Sequence, residues 1–301
     1  FGTTNLQAQN EQSISLRACE LEDGDARAAF KNINMDVRNY NRIKMFVHAE
    51  DARDGDDLQD GDMTAFMRIG SDFTQNYYEY EIPVTVTPWG TSDPELIWPE
   101  ENEFDFSFDE ITQAKLARNN AMQGNPDVNL TTPFTVINAK GHRITVVGNP
   151  SLGNARTIML GMRNPKKLGP SDPDDGMSKC AEFWFNELRL TDFDQRGGYA
   201  ATLRAVAKLA DFGTVSLSGN YSTIGFGGID KAVQDRNKEE ILEYNFQSNL
   251  NLGQFFGNSG IRIPMYFGYG ERIANPMFNE LDTDIETSEA YDALDTRQER
   301  D

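Results

Sequence analysis

The chain has 301 residues and a mass of 33.8 kDa, which is enough for one large or two ordinary domains. Lys and Arg total 28 against 48 Asp and Glu, and the resulting formal charge of -20 excludes sequence-independent binding to nucleic acid or to anionic lipid headgroups. The mean hydropathy is -0.59, and no run of residues approaches the ~18 apolar residues of a membrane-spanning helix. Because the chain starts at Phe1, without a Met or an apolar leader, we expect it to be a piece of a longer protein whose targeting signal lies elsewhere.

The first part of the chain alternates apolar and polar residues with a period of two between frequent turns. At least seven strand-like segments lie between residues 13 and 190, which predicts a β-sandwich of jelly-roll type preceded by a lead-in segment, residues 1–12. The longest alternating row runs from Tyr78 to Val86, and Pro83 within it predicts an edge or a bulge because proline has no amide hydrogen. One short helix is predicted over residues 110–123, with Asp109 as its N-cap.

Two cysteines lie in strand-like segments near the two ends of this first domain. Cys19 is in SISLRACEL and Cys180 is in KCAEFWFNELRL. A zinc site would require more ligands at shorter spacing, and only His48 and His142 could contribute. The residues leave open a disulfide or two reduced thiols. Both cysteines fall on the more polar side of their strands, which favours a cross-strand pair.

A second pattern begins at Gly197 and continues to residue 272. Four segments of about ten residues alternate more strictly, and their polar side consists mainly of Ser, Thr, Asn and Gln. A transmembrane β-strand needs about 9–11 residues with apolar side chains outward and polar side chains toward the lumen. A soluble sandwich also alternates, but its polar side is usually richer in charge. We therefore interpret residues 197–272 as two β-hairpins of the wall of a large outer-membrane β-barrel.

This interpretation assigns a side to each strand residue. The residues predicted to face lipid are Leu203, Leu209, Leu217, Leu242, Tyr244, Phe246, Leu250, Ile263 and Phe267. The residues predicted to face the lumen are Arg204, Lys208, Glu243, Asn245, Gln247 and Asn249. Four strands cannot close a barrel, and open edges cannot lie in lipid, so the remaining strands are expected from the rest of a longer chain.

The lengths of the connections predict an orientation. Outer-membrane barrels have short periplasmic turns and long external loops. The short connections at 211–213 and 253–260 would then be periplasmic, and the long one at 222–240 would be external. The first domain and an acidic loop or tail, residues 273–301, would therefore be extracellular, with the chain located in the cell outer membrane.

Three stretches of this sequence resemble one known family. They are NEQSISLRACELEDGDARAAFKNINMDVRNYNRIKMFVHAE, GDMTAFMRIGSDFTQNYYEYEIPVTVTP and FWFNELRLTDFDQRGGYAATLRAVAKLADFGTVSLSGNYSTIGFG. They are similar to the SprA/Sov family of giant outer-membrane translocons, which belong to the type 9 secretion system and are linked to gliding motility in Bacteroidota. The resemblance extends over nearly all of residues 5–280.

The resemblance implies a fragment of a single-chain barrel of about 36 strands, the largest size known for such barrels. It also implies a channel for secreted, folded cargo proteins, a side opening toward a smaller PorV-type outer-membrane barrel, and a plug protein at the periplasmic end. The family supplies no catalytic residues, so none are assigned here.

An acidic turn from Glu50 to Asp62 offers oxygen ligands of the kind that Ca²⁺ prefers. The candidate metal ligands are Asp54, Asp56, Asp60 and Asp62. The turn lacks the Asp-x-Asp-x-Asp-Gly register and the terminal Glu of an EF-hand, so a solvated loop is the alternative. We expect no other cofactor.

The sequence carries little that predicts catalysis. Glu79 and Glu81 share a strand face, which is as common in plain edge strands as in hydrolases. G-x-S-x-G, a Cys/His pair and a phosphate-binding glycine loop are all missing from the sequence, so we expect no enzymatic activity. The alternative function is a secreted carbohydrate-binding or adhesin sandwich, in which Trp89 and Trp98 would form the sugar platform.

Overall fold

The computed structural model describes residues 13–53, 57–170, 174–232 and 235–292. The chain divides into two compact units, Phe1–Asp194 and Gln195–Asp301, which we call the jelly-roll unit and the second unit. The predicted all-β class is confirmed, because antiparallel sheets form both units. No helix in the described ranges combines the length and the apolar character needed to cross a membrane.

The strands of the jelly-roll unit have between 4 and 15 residues and follow the alternation of the sequence. They are β1 (Ile14–Leu21), β2 (Ala26–Met35), β3 (Tyr40–Asp51), β4 (Thr64–Gly70), β5 (Tyr77–Pro83), β6 (Phe104–Ser107), β7 (Phe134–Ile137), β8 (Arg143–Val147), β9 (Ala155–Arg163) and β10 (Lys179–Phe193). The second unit contains β11 (Ala200–Leu209), β12 (Gly213–Ser222), β13 (Glu239–Asn251) and β14 (Pro264–Pro276). The helices are α1 (Pro94–Ile97), α2 (Phe108–Gly124) and α3 (Thr287–Asp292).

The strand order of the first unit is that of a jelly roll. One sheet has the order β1-β10-β3-β6, and the other has the order β2-β9-β4-β5-β8-β7. The first strand therefore pairs with the last in one sheet, and the second pairs with the last but one in the other. This nested pairing of early with late strands is the jelly-roll arrangement of two Greek keys. The β7–β8 hairpin extends the second sheet beyond β5.

The two sheets enclose one apolar core. Alternate residues of β3, namely Ile43, Met45 and Val47, are at most 1 % exposed. They belong to the same cluster of buried side chains as Tyr78 and Tyr80 of β5 in the opposite sheet. Because each strand contributes every second residue to this cluster, the period-two pattern of the sequence is explained by burial of one face per sheet.

The helix α2 begins two residues earlier than a cap at Asp109 would require. Ser107 is its N-cap: the Ser107 Oγ accepts the amide hydrogen of Glu110 at 3.2 Å, and the Glu110 carboxylate accepts the Ser107 amide hydrogen at 3.3 Å. This is a complete capping box. The prediction that Asp109 caps the helix is therefore wrong, because Asp109 lies in the first turn of the helix.

The strand predicted from Tyr78 to Val86 ends at Pro83. β5 lies inside its sheet between β4 and β8, but Pro83 faces only Thr64 of β4, so its missing amide hydrogen costs no pairing with β8. After Pro83 the amide of Val84 donates to the carbonyl of Met63 at 3.2 Å. The proline thus marks the end of the strand.

The second unit contains a four-stranded antiparallel sheet with the simple order β11-β12-β13-β14. β11 and β12 are joined by the turn at 210–212, and β12 and β13 by the long connection at 223–238. β13 is followed by a 3₁₀ segment, Leu252–Ser259, before β14. β14 continues to Pro276, past the predicted end at residue 272, and α3 follows within the predicted acidic tail.

Candidate functional site

The sheet of the second unit divides its side chains into an apolar and a polar face. Directly opposed residues of antiparallel strands lie on the same face, so the register defines rows across the sheet. One row joins Ala205, Leu217, Phe246 and Tyr269, and the row two residues along joins Leu203, Gly219, Tyr244 and Glu271. Eight of the residues predicted to face lipid share this apolar face: Leu203, Leu209, Leu217, Leu242, Tyr244, Phe246, Leu250 and Phe267.

The ninth predicted residue, Ile263, lies just before β14 rather than within it. Its carbonyl accepts the amide hydrogen of Leu252 at 2.8 Å, so the pairing of the hairpin continues beyond the strands. Its side chain is 40 % exposed.

The opposite face of the sheet is mainly polar, and its apolar side chains include Val206 and, in the end row, those of Ala200, Ile241 and Ala274. One row joins Arg204, Ser218, Asn245 and Gly270, and another joins Lys208, Thr214, Asn249 and Tyr266. All six residues predicted to face the lumen lie on this face: Arg204, Lys208, Glu243, Asn245, Gln247 and Asn249. The register thus separates the two predicted sets of side chains.

The sequence pattern does not explain Glu271, a carboxylate on the apolar face. In the structure its carboxylate accepts hydrogen bonds from the hydroxyls of Tyr244 and Tyr269, the second at 3.2 Å. Tyr221, on the same face, donates to Glu240. The carboxylates on this face therefore have hydroxyl donors, and they lie near the end of the sheet that carries the long 223–238 connection.

The other end of the sheet carries exposed aromatic residues. Phe212, in the β11–β12 turn, packs edge-on against Phe255 of the 3₁₀ segment with 5.0 Å between the ring centroids. Phe255 and the adjacent Phe256 are 73 % and 55 % exposed. The two short connections therefore contact each other through aromatic rings and present apolar surface at their tips.

Cys19 and Cys180 are joined by a disulfide in the structure. They lie where the β1–β10 register shifts between Ala18 and Leu21. The sequence left open a disulfide or two reduced thiols, and the structure has the disulfide. The bond ties the edge strand β1 to the strand that ends the jelly-roll unit.

The acidic turn is only partly described. Asp54 and Asp56 lie outside the described residues. Asp60 accepts the backbone amide hydrogen of Val86 at 2.7 Å. Asp62 accepts hydrogen bonds from the Lys179 ammonium at 2.7 Å and from the backbone amide of Gln59 at 3.1 Å. Among the residues that the structure describes, no group of three or more acidic, His or Cys side chains is arranged to hold a metal ion.

Of the two tryptophans proposed as a sugar platform, Trp98 contacts a buried histidine. It packs against His48 with ring centroids 6.0 Å apart, and Trp184 stacks on the same imidazole at 4.3 Å. His48 is 1 % exposed, and its Nδ1 hydrogen-bonds the carbonyl of Ile97 at 2.8 Å. Trp89 is 52 % exposed and has no ring contact in the described part of the chain. Trp98 and Trp184 thus both pack against a histidine that is hydrogen-bonded to the last residue of α1.

The carboxylate pair Glu79 and Glu81, which share a face of β5, is bound by arginines. Glu79 and Glu81 are 4 % and 1 % exposed. Arg163 donates to Glu81 at 2.5 Å and to both oxygens of Glu79 at 3.0 Å, and Arg68 donates to Glu79 at 2.5 Å. Carboxylates neutralised in this way are structural ion pairs and are poor general bases. The arginines lie on other strands, so the local sequence around Glu79 contains no signal for them.

Comparison with known protein families gives one match over most of the chain. The family SprA_N, described as motility related/secretion protein, matches residues 1–291. No curated protein matches the chain significantly. The resemblance to the SprA/Sov family is thereby confirmed, and the family is one of secretion and motility proteins rather than of enzymes. This chain, with its jelly-roll unit and its two-faced sheet, belongs to the SprA_N family of motility-related and secretion proteins.

Proposed function

We propose that this chain is part of an outer-membrane translocon that exports folded proteins to the cell surface in type 9 secretion and gliding motility. In this proposal the strands β11 to β14 are a section of the barrel wall. The jelly-roll unit is an extracellular domain. The membership of a secretion and motility family supports a role in the cell envelope.

The observation that carries the proposal is the separation of side chains in the β11–β14 sheet. The register aligns most of the apolar residues of the four strands on one face and most of the Ser, Thr, amide and basic residues on the other. A face of exposed Leu, Phe and Tyr side chains is costly in water, at about 25 cal/mol per Å² of apolar surface, and favourable in hydrocarbon. A face rich in Ser, Asn and Gln suits a water-filled channel.

The strand lengths agree with this proposal. β11 and β12 have 10 residues each, and β13 and β14 have 13. A tilted strand of about 9–11 residues crosses the hydrocarbon layer. The Tyr–Glu hydrogen bonds at one end and the exposed phenylalanines at the other correspond to the aromatic girdles that flank the apolar band of such barrels.

The edges of the sheet support a larger assembly. In the described part of the chain, β11 and β14 each pair with a single neighbouring strand. Unpaired backbone groups at these edges cost several kcal/mol each in lipid, so further strands must continue the sheet on both sides. The proposed partners follow from the family resemblance: secreted cargo, a PorV-type barrel, a periplasmic plug protein and outer-membrane lipid.

Substitution of two adjacent residues on β13 tests the proposal. Phe246 lies on the proposed lipid side in the central row of the sheet, with Leu217 and Ala205, and Asn245 lies next to it on the polar side. In the full-length chain, Phe246→Arg would put a charge near the middle of the hydrocarbon layer at a cost of about 2–4 kcal/mol, whereas Asn245→Arg would put it in the channel. We expect Phe246→Arg to reduce the amount of folded protein in the outer-membrane fraction, measured by heat-modifiable migration on a gel. Asn245→Arg and the apolar control Phe246→Leu should assemble normally. Equal assembly of the two Arg variants would overturn the proposal.

A further inference from the structure

The polar face of the β11–β14 sheet carries unpaired positive charge at one end. Arg204 and Lys208 are exposed and lie on this face of β11. Neither makes a hydrogen bond or an ion pair with any residue that the structure describes. Arg262, which is also exposed, lies just before β14 at the same end. The chain as a whole has a formal charge of -20, so a positively charged face is unusual in it.

The rows across this end contain no carboxylate. The Arg204 row continues through Ser218, Asn245 and Gly270. The next row is Val206, Ser216, Gln247 and Gly268, and the following one is Lys208, Thr214, Asn249 and Tyr266. Asp211 is the nearest acidic residue in the sequence and lies in the turn beyond the strands. The two cations thus face a strip of hydroxyl and amide groups that offers hydrogen bonds without competing charge.

The other end of the same face is neutralised internally. Glu243 lies directly opposite Arg272 in the register, and the Arg272 guanidinium is 3.8 Å from the carboxylate of Glu239. The carboxylates of Glu239 and Glu243 therefore lie close to the guanidinium of Arg272 at this end of the sheet. The positive charge of the polar face is concentrated on Arg204 and Lys208, near the end with the short connections.

We propose that this cationic strip binds the acidic surface of folded proteins that pass along the polar face. Arg204 and Lys208 are four positions apart on one strand, which places their Cα atoms about 13 Å from each other. The two cations together match a cluster of carboxylates on a folded surface. Such charges act only at close range, because the Debye length at physiological ionic strength is about 8 Å. Charge lining a channel with a low-dielectric wall raises the local concentration of the opposite charge. The inference rests on the proposed function, since it requires that this face line a channel.

Charge reversal in the full-length chain tests the inference. The probes are a folded reporter with an acidic surface and a version of the same fold with a basic surface, both carrying the export signal of a native cargo. We expect R204E/K208E to lower the export rate of the acidic reporter several-fold and to raise that of the basic reporter. The neutral variant R204Q/K208Q should give intermediate rates for both. Equal effects on the two reporters, or no effect on either, would overturn the inference.

A second measurement separates failure of the inference from failure of the proposed function. If deleting the chain leaves export of both reporters unchanged, the translocon function itself is wrong. A photo-crosslinking residue at Gln247, between the two cationic rows, then tests the binding directly. Preferential crosslinking of the acidic reporter, lost in R204E/K208E, would support the strip as a binding surface. Equal crosslinking of both reporters would refute it.

Discussion

Cys19 on β1 is bonded to Cys180 on β10, at a separation of 161 residues in the sequence. β1 is an edge strand that pairs with β10 alone among the described strands, and the disulfide adds a covalent cross-link between these two strands. A bond that closes such a long loop restricts the unfolded chain strongly.

Removal of this disulfide should destabilise the jelly-roll unit. We expect C19A/C180A to lower its free energy of unfolding by about 2–4 kcal/mol. All 3 tryptophans of the chain, Trp89, Trp98 and Trp184, lie in this unit, so their fluorescence during urea unfolding reports on it. Reductant should destabilise the wild-type protein by a similar amount and leave the variant unchanged. An identical urea midpoint for the wild type with and without reductant would contradict this prediction.

The buried ion pairs around Arg163 should contribute more to stability than an exposed pair does. Arg163→Met removes the hydrogen bonds of this guanidinium to Glu79 and Glu81 and leaves the nearly inaccessible Glu81 carboxylate without its closest cation. Glu81 then retains the hydroxyl of Thr64 at 2.6 Å and the half-exposed guanidinium of Arg143 at 3.8 Å. We expect a loss of about 3–5 kcal/mol, because removing one partner of a buried ion pair leaves the remaining charge poorly compensated.

The matched control for this substitution is Arg27→Met. Arg27 lies 3.6 Å from Asp25 with both side chains about half exposed, and we expect its loss to cost under ~1 kcal/mol. Tryptophan-monitored urea unfolding compares the two variants. Similar losses for both would show that burial does not strengthen the Arg163 pairs.

His142 should make the stability of the jelly-roll unit depend on pH. The hydroxyl of Tyr80 lies 2.9 Å from His142 Nδ1 and also receives a hydrogen bond from Asn138. Burial, together with the nearby charge of Lys140, lowers the pKa of His142 below its ordinary value near 6.5. The Tyr80 hydroxyl can act as donor or acceptor toward Nδ1, so the lowered pKa of His142 comes from burial and from Lys140 rather than from this hydrogen bond.

The sign of this effect follows from the lowered pKa. The folded state binds the proton less readily than the unfolded state, so the contribution of His142 is fully present above about pH 6.5 and is lost as the pH falls through the lowered pKa of the folded state. The wild-type protein should lose more unfolding free energy than His142→Gln between pH 7 and pH 5. Parallel stability curves for the two proteins over this range would refute the prediction.

Short-range patterns in the sequence were reliable where the structure depends on local geometry. Alternation with period two is a direct consequence of strand geometry, so it correctly divided β13 into Leu250 and Phe246 on one face and Asn249 and Gln247 on the other. The helix α2 was also predicted, but its first residue was not, because Ser107 and Asp109 are both good caps. The capping box with Glu110 distinguishes them, and that signal was present three residues after Ser107.

The sequence by itself determined the all-β class, the two faces of the β11–β14 sheet and the family of the chain. Only the tertiary structure decided which strands are neighbours. It alone shows that Arg163 neutralises Glu79 and Glu81. It alone shows that Trp98 and Trp184 pack against His48. The reason is the range of the interactions. The direction of a side chain depends on its own backbone, whereas its partner in a jelly roll comes from a strand that can be a hundred residues away.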